Sequence, residues 1–119
     1  MYWRRRDFPV FPYRKQQIPA GSAVEVPYAS IDDNLEPVEL SALRYRIDDL
    51  TNALVIQDWT TVQDPEPRGT VTIPASLNGM SRPYQDRQLN QITFELTDSN
   101  GNVKQQLAYV ELGAVFQGS

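Results

Sequence analysis

Cysteine and histidine are both absent from the 119-residue chain. Without cysteine, neither a disulfide framework nor a thiolate metal site is possible, and the redox compartment stays open. Without histidine, the commonest general base and the commonest transition-metal ligand are missing. Lysine occurs only at Lys15 and Lys104, neither of them in the Ser-x-x-Lys spacing of a lysine-assisted serine nucleophile. A phosphate-binding glycine loop is absent too, so we expect no enzyme activity and no cofactor or metal.

Long apolar runs are also missing. No stretch approaches the roughly 18 apolar residues that a membrane helix needs, and no apolar signal core follows the arginines near the N-terminus. The sequence therefore predicts no membrane partner. Its length fits one domain with a modest core.

Charge is divided unevenly along the chain. Residues 1–17 carry five basic side chains and one acidic side chain, Asp7, whereas residues 18–119 carry six basic and fourteen acidic ones. The net charge of −4 therefore combines a cationic segment with an anionic body. Such an asymmetry predicts that the basic segment binds a partner.

We interpret residues 1–17 as an N-terminal arm and residues 18–119 as the folded domain. Pro9 and Pro12 break any helix and exclude a central strand. Five of the twelve aromatic residues lie in this arm, although disordered tails are normally poor in aromatics. Three alternatives stay open: a first strand along the chain's own body, docking on another protein, or contact with nucleic acid. The candidate partner-binding residues are Trp3, Arg4, Arg5, Arg6, Phe8, Phe11 and Tyr13, types that protein interfaces favour.

The segment 43–61 predicts the centre of the fold. Leu43, Tyr45 and Ile47 alternate with two arginines, which is the period of a strand with one buried face. Leu54 and Ile56 repeat this pattern after a polar turn. We expect an antiparallel pair at the centre of a β-sandwich, with Trp59 as a core anchor and with Arg44 and Arg46 in surface ion pairs with Asp48, Asp49 or Asp58.

Further alternating segments predict an all-β antiparallel sandwich of six to seven strands. Pro27 assigns the strand 23–28 to a sheet edge, and residues 18–22 form a hinge before it. The segment 98–102 contains Asn-Gly and predicts a hairpin turn. In the strand that follows, we expect Leu107 and Tyr109 to pack opposite Phe94 and Leu96. The remaining expected strands are 70–75 and 89–97, separated by an irregular stretch at 76–87.

Acidic and basic clusters each allow a binding function as well as a structural one. Asp32-Asp33, Asp48-Asp49 and Asp58 could supply oxygen ligands to calcium, but turn acidity explains them more simply. The three successive arginines could clamp phosphates, yet they make a small electrostatic footprint and the acidic body would repel a duplex. Pairing with an acidic protein surface fits them better, so nucleic acid is not the expected partner.

Three segments of the chain form one pattern: Leu43-Arg-Tyr-Arg-Ile-Asp-Asp-Leu-Thr51, Ile56-Gln-Asp-Trp-Thr-Thr61 and Thr70-Val-Thr-Ile-Pro-Ala-Ser76. Together they resemble a recurring pattern in tailed-bacteriophage proteins. The strand Gln91-Ile-Thr-Phe94 and the terminal hairpin are similar in layout. The resemblance covers residues 38–112, without the arm and with residues 77–88 unaligned. It implies a small Ig-like or fibronectin-type-III-like sandwich of a virion, and it carries no catalytic residues over.

This resemblance leads to the expectation of a structural virion protein whose arm anchors it to other virion proteins, such as capsid, head–tail or tail subunits. A capsid decoration or cement protein, present as a homo-oligomer in the assembly, is the first expectation. A head–tail connector or tail component is the alternative in the same class. A carbohydrate-binding module that uses exposed aromatics such as Tyr84 is the alternative in a different class.

Overall fold

The computed structural model describes residues 15–113, and the chain is all-β in that range, with seven strands and one short 3-10 turn at Ala75–Leu77. This confirms the predicted fold class and strand number. The strands are β1 (Lys15–Pro19), β2 (Val24–Ala29), β3 (Leu40–Asp49), β4 (Leu54–Thr61), β5 (Arg68–Ile73), β6 (Arg87–Asp98) and β7 (Val103–Gly113).

The strands form two sheets of unequal size. The larger sheet has the order β1-β7-β6-β3-β4, and the smaller sheet pairs β2 with β5. Neighbouring strands are antiparallel except β1 and β7, which run parallel with Lys15 opposite Tyr109. Among residues 15–113, β2, which contains Pro27, pairs with β5 alone.

The core lies between the two sheets and follows the period-two pattern of the strands. Leu43, Tyr45 and Ile47 are buried on β3, as predicted, and Val71 and Ile73 are buried on β5. The other predicted inward residues, Ile92, Phe94 and Leu96 of β6, are buried too, together with Val24, Val26, Tyr28, Val110 and Leu112. Alternation of this kind buries one face of each strand and leaves the other face to solvent.

The strand order is that of an immunoglobulin-like sandwich. The series β7-β6-β3-β4 corresponds to strands G, F, C and C′, and the pair β2–β5 corresponds to B and E. Antibody domains join strands B and F by a disulfide. Here the corresponding strands β2 and β6 are joined by packing, because the rings of Tyr28 and Phe94 lie 5.7 Å apart between centroids.

The described body begins earlier than the predicted arm boundary. Residues 15–17, assigned above to the arm, belong to β1, and so do Ile18 and Pro19, which were expected in a hinge. The chain turns only at Ala20-Gly21, where Gly21 has a φ of +84°. Pro19 at the end of an edge strand costs no ladder hydrogen bond in the interior of the sheet.

The expectation for the second strand of the 43–61 pair was partly wrong. β3 is internal, but β4 is the edge of the larger sheet, and Leu54 is 42% exposed. Among residues 15–113, two strands face five, so the smaller sheet cannot cover the larger one fully. Trp59 is half-buried on the outer face rather than a core anchor. Its spacing of three residues from Ile56 places it on the opposite face of the strand.

The predicted orientation of the last strand was wrong as well. Leu107 lies opposite Thr93 and Tyr109 opposite Gln91, so both half-buried side chains belong to the outer face. The inner face of β7 carries Ala108 instead, opposite Ile92. A shift of one residue in register exchanges the two faces of a strand, which is why the pattern alone was misleading here.

The hairpin predicted at residues 98–102 is present between β6 and β7. The Asp98 carboxylate accepts hydrogen bonds from the backbone N–H groups of Asn100 and Asn102, both at 2.9 Å. Gly101 has a φ of +89°, which glycine adopts without strain. These bonds lower the pKa of Asp98, the bond from Asn102 contributing most.

Candidate interaction site at the root of the arm

The residues predicted to bind a partner, Trp3, Arg4, Arg5, Arg6, Phe8, Phe11 and Tyr13, all lie outside the described residues. What the structure does describe is the root of the arm, where β1 joins the sheet, and the surfaces around it. Four regions of the body bear on function: the attachment of β1, the groove beside it, the outer face of the larger sheet and one polar end of the sandwich.

Glu111 of β7 ties β1 to the sheet. Its carboxylate accepts a hydrogen bond from Gln17 at 2.8 Å. The ammonium group of Lys15 lies 3.5 Å away and the guanidinium group of Arg87 3.6 Å away. The hydrogen bond from Gln17, followed by the two cations, holds the pKa of Glu111 below its usual range despite partial burial. A single carboxylate therefore links β1, β6 and β7.

A groove lies beside β1, between the two sheets. It has a volume of about 530 Å³, and its walls include Pro27 and Tyr28 of β2, Gly69 of β5, Phe94 of β6 and Ala108 of β7. Gln16 of β1 also lines it. Its size lies within the range of cavities that bind small ligands or peptide side chains. The groove is therefore a largely apolar cleft between the sheets, and the rings of Tyr28 and Phe94 behind it are buried.

Gln106 of β7 closes one end of this groove. Its side-chain carbonyl accepts a hydrogen bond from the backbone N–H of Ala29, and its amide group donates one to the Ala29 carbonyl. The Gln106 amide thus pairs with the edge of β2 as a neighbouring strand would. Gln16 donates in the same way to the carbonyl of Glu25 at 3.0 Å. Two glutamines therefore bridge the two sheets along the groove.

The outer face of the larger sheet is dominated by ion pairs. Arg44 donates a hydrogen bond to Glu95 at 2.6 Å, which raises the pKa of Arg44, and its guanidinium group lies 4.4 Å from the ring centroid of Trp59. Arg46 pairs with Asp48 at 3.0 Å and lies 3.9 Å from Asp58. Surface pairing of both arginines is thus confirmed, although the partner of Arg44 was missed. Cross-strand register, which sequence does not give, brings Arg44 and Glu95 together.

Asp49 organises the polar end of the sandwich. It is fully buried, where the prediction placed it in an exposed turn. Asn52 donates to it twice, from its backbone N–H at 2.9 Å and from its side chain at 2.7 Å. Burial would raise the pKa of Asp49, but hydrogen bonds from Asn52, Ser81 and Thr51 outweigh it and the pKa is lowered. The carboxylate thus stays charged and bound inside the fold.

Buried amides extend this polar end into the irregular segment 78–86. Gln88 accepts a hydrogen bond from the backbone N–H of Ser81 at 2.7 Å and donates one to Asn90 at 2.9 Å. Asn78 donates to the carbonyl of Ser22 at 2.7 Å. The Nδ2 atom of the buried Asn90 has no hydrogen-bond partner among residues 15–113. These contacts give a structural explanation for a stretch whose sequence showed no period.

Tyr84 is the single fully exposed aromatic side chain among residues 15–113. It stands in a loop with a φ of +69°. Trp59 is stacked against Arg44, and Tyr109 is half-buried on the outer face. A glycan platform normally needs an open ring face, which the exposed ring of Tyr84 offers.

Between positions 15 and 113 no three acidic side chains come together as a metal site would require. Within that span, no helix has the length and apolar character to cross a bilayer.

Comparison with known proteins gave no relative. No protein-family model, no curated protein and no solved structure matches the chain. Function must therefore be argued from the residues and their geometry.

Proposed function

We propose that this chain is a non-enzymatic structural protein of a tailed-bacteriophage particle, most specifically a capsid decoration or cement protein that is anchored to neighbouring subunits by its N-terminal arm. The observation that carries the proposal is the position of β1. Among the described strands, β1 is the last of the larger sheet and pairs with β7 alone, and the aromatic and basic segment 1–14 directly precedes it in the chain. An edge strand is where chains pair with other chains.

The use of the carboxylates in the body supports a structural role. Asp98 holds the β6–β7 hairpin, Asp49 holds two loops, and Glu111 holds β1. Each of these groups has a lowered pKa that follows from its structural hydrogen bonds. A general acid or base would instead need a pKa near the working pH.

The arm supplies the chemistry for anchoring. Trp3, Phe8, Phe11 and Tyr13 are the proposed apolar anchors, and Arg4, Arg5 and Arg6 are proposed to pair with acidic groups of the partner. Buried aromatic and arginine side chains contribute most of the binding energy in typical interfaces. A head–tail connector or tail component would use the same anchoring, and position in the particle separates these alternatives.

Deletion of residues 1–14 tests the anchoring directly. The deletion stops before Lys15 and so keeps β1 with its bonds to Glu111. We expect a folded body, with the circular dichroism spectrum of a β-protein, that no longer joins particles when it is supplied to a phage lacking the full chain. Tyr84→Ala is the matched control in the body and should be incorporated normally.

Incorporation of the deleted chain at the level of the full chain would contradict the proposal. Glycan binding that persists in the deleted chain and is lost in Tyr84→Ala would favour the carbohydrate-binding alternative instead. Both outcomes are read from the same two variants.

A further inference from the structure

Asparagine is followed by glycine at two places in the chain, Asn78-Gly79 and Asn100-Gly101. In such a pair the backbone nitrogen of the glycine can attack the side-chain amide carbon of the asparagine, because glycine has no Cβ to obstruct the approach. The two pairs therefore have the same chemistry in the sequence. Their surroundings in the fold are opposite.

Asn78 is protected by its position in the fold, where its side chain is 2% exposed. Its amide group donates hydrogen bonds to the carbonyl of Ser22 at 2.7 Å and to the carbonyl of Ile73 at 3.4 Å. Its own backbone carbonyl accepts a hydrogen bond from the N–H of Gly21 at 2.7 Å. Attack by the nitrogen of Gly79 would break these contacts, so it requires the fold to open around residue 78.

Asn100 and Gly101 are both exposed at the tip of the β6–β7 hairpin. The backbone N–H of Asn100 is bound by the Asp98 carboxylate, but among residues 15–113 no group forms a hydrogen bond with the Asn100 side-chain amide. The N–H of Gly101 donates to the carbonyl of Asp98 at 3.0 Å, and this turn bond must open before the nitrogen attacks. Exposed turns open locally at a much lower free energy than buried contacts do.

We propose that Asn100 is a site of spontaneous deamidation in the folded protein, and that Asn78 is not. The Gly101 nitrogen loses its proton and forms a bond to Cγ of Asn100. The bond between Cγ and Nδ2 breaks, and the Nδ2 group takes up a proton and leaves as ammonia. Water then opens the resulting succinimide: attack at Cγ gives aspartate, and attack at the backbone carbonyl gives isoaspartate, whose main chain runs through Cγ.

Either product changes the hairpin that Asp98 organises. A new carboxylate at residue 100 makes the net charge one unit more negative than −4. Isoaspartate also lengthens the main chain between the N–H groups of Asn100 and Asn102, which both bind the Asp98 carboxylate at 2.9 Å. The tip of the hairpin thereby acquires charge and loosens as the protein ages. This inference goes beyond the proposed function and does not rest on it.

Peptide mapping of the full chain tests the proposal, because trypsin cleavage after Arg87 separates the two sites. The wild-type protein is incubated in a mildly alkaline buffer, either native or in concentrated urea. Mass spectrometry follows the conversion of amide to carboxyl at residues 78 and 100. In the native protein residue 100 should react at least about tenfold faster than residue 78, whose reaction requires the fold to open. In urea the two rates should approach each other.

Asn100→Gln is the matched variant, since glutamine keeps the amide but would have to close a larger ring. Ion-exchange chromatography should show a more acidic form that accumulates in the native wild type and not in this variant. Equal native rates at residues 78 and 100, or a faster reaction at residue 78, would overturn the proposal. So would an acidic form that accumulates equally in Asn100→Gln, or a tenfold difference that persists in urea, because the fold would then not be its cause.

Discussion

Asp49 illustrates how a single residue can organise a region that the sequence pattern does not explain. It continues the inner-face series of Leu43, Tyr45 and Ile47, so a period-two pattern read strictly would have placed it inside. A run of two aspartates before a turn suggested instead that both were exposed. The carboxylate is buried because Asn52 and Ser81 supply the hydrogen bonds that water would otherwise provide.

Replacement of Asp49 by alanine should destabilise the protein by about 1–3 kcal/mol, because the buried donors around it would lose their acceptor. Asp48→Ala is the matched control, since Asp48 lies next to it in the chain but pairs with Arg46 at the surface. We expect that control to cost less than about 1 kcal/mol. Urea unfolding at pH 7 measures both. An equal loss in the two variants would contradict the role assigned to Asp49.

The prediction of which face a side chain occupies was wrong for three residues: Trp59, Leu107 and Tyr109. All three are large and apolar or amphipathic, and each was expected in the core, yet each is half-buried on the outer face. The face of the sheet that each side chain occupies depends on the register of its strand, and the register depends on pairing with distant strands. β3 and β4 pair with two shifts of register, at Tyr45/Ile47 and Ile47/Asp48, which no local pattern announces.

The predicted boundary between the arm and the hinge falls inside the strand β1. Lys15, Gln16 and Gln17 are polar and follow two prolines, so they look like the end of an arm. The parallel partner that makes them a strand, Tyr109–Gly113, lies more than ninety residues later in the chain. Long-range parallel pairing of this kind leaves no local signal, whereas the hairpin at Asn100-Gly101 was predictable from two residues.

Glu111→Gln should weaken the attachment of β1 in a pH-dependent way. The pKa of Glu111 is lowered in the folded state, so its contribution to stability is present above the unfolded value of about 4.3 and is lost as the pH falls through the folded value. We expect a lower urea midpoint than wild type at pH 7 and a smaller difference between the two proteins at pH 3, which lies below the unfolded value.

Glu39→Gln is the control for this prediction, because Glu39 is exposed and the substitution changes the net charge by the same amount. It should leave the urea midpoint close to that of wild type at both pH values. A difference between Glu111→Gln and wild type that persists unchanged at low pH would show that the carboxylate charge is not what holds β1.

The whole molecule is held together by packing between sheets of unequal width. Phe94 lies at the centre, with the ring of Tyr28 at 5.7 Å and that of Tyr45 at 6.3 Å. It therefore contacts an aromatic residue from each sheet. With no disulfide in the chain, this cluster performs the joining that covalent bonds provide in antibody domains.

Phe94→Ala should cost about 3–5 kcal/mol of unfolding free energy, because it removes the ring and leaves a cavity between the sheets. Tyr84→Ala removes a ring that is fully exposed and should change stability by less than about 0.5 kcal/mol. Thermal and urea unfolding compare the two. A Phe94 variant as stable as the Tyr84 variant would contradict the central position of this ring.

At the scale of the molecule, alternation and turn residues were sufficient to predict an all-β sandwich and most of its core, such as Val71 and Ile73. They could not predict the division into five and two strands, which depends on how strands from distant parts of the chain associate. The groove was beyond prediction for the same reason, since β1, β2, β5, β6 and β7 all contribute to it.

The most direct test of the proposed function is the copy number of this chain in purified phage particles, with heads and tails quantified separately by mass spectrometry. A decoration or cement protein should be present in hundreds of copies in the head fraction. About a dozen copies at the neck or in tails would replace decoration by a connector or tail role. Absence of the chain from particles would contradict the account.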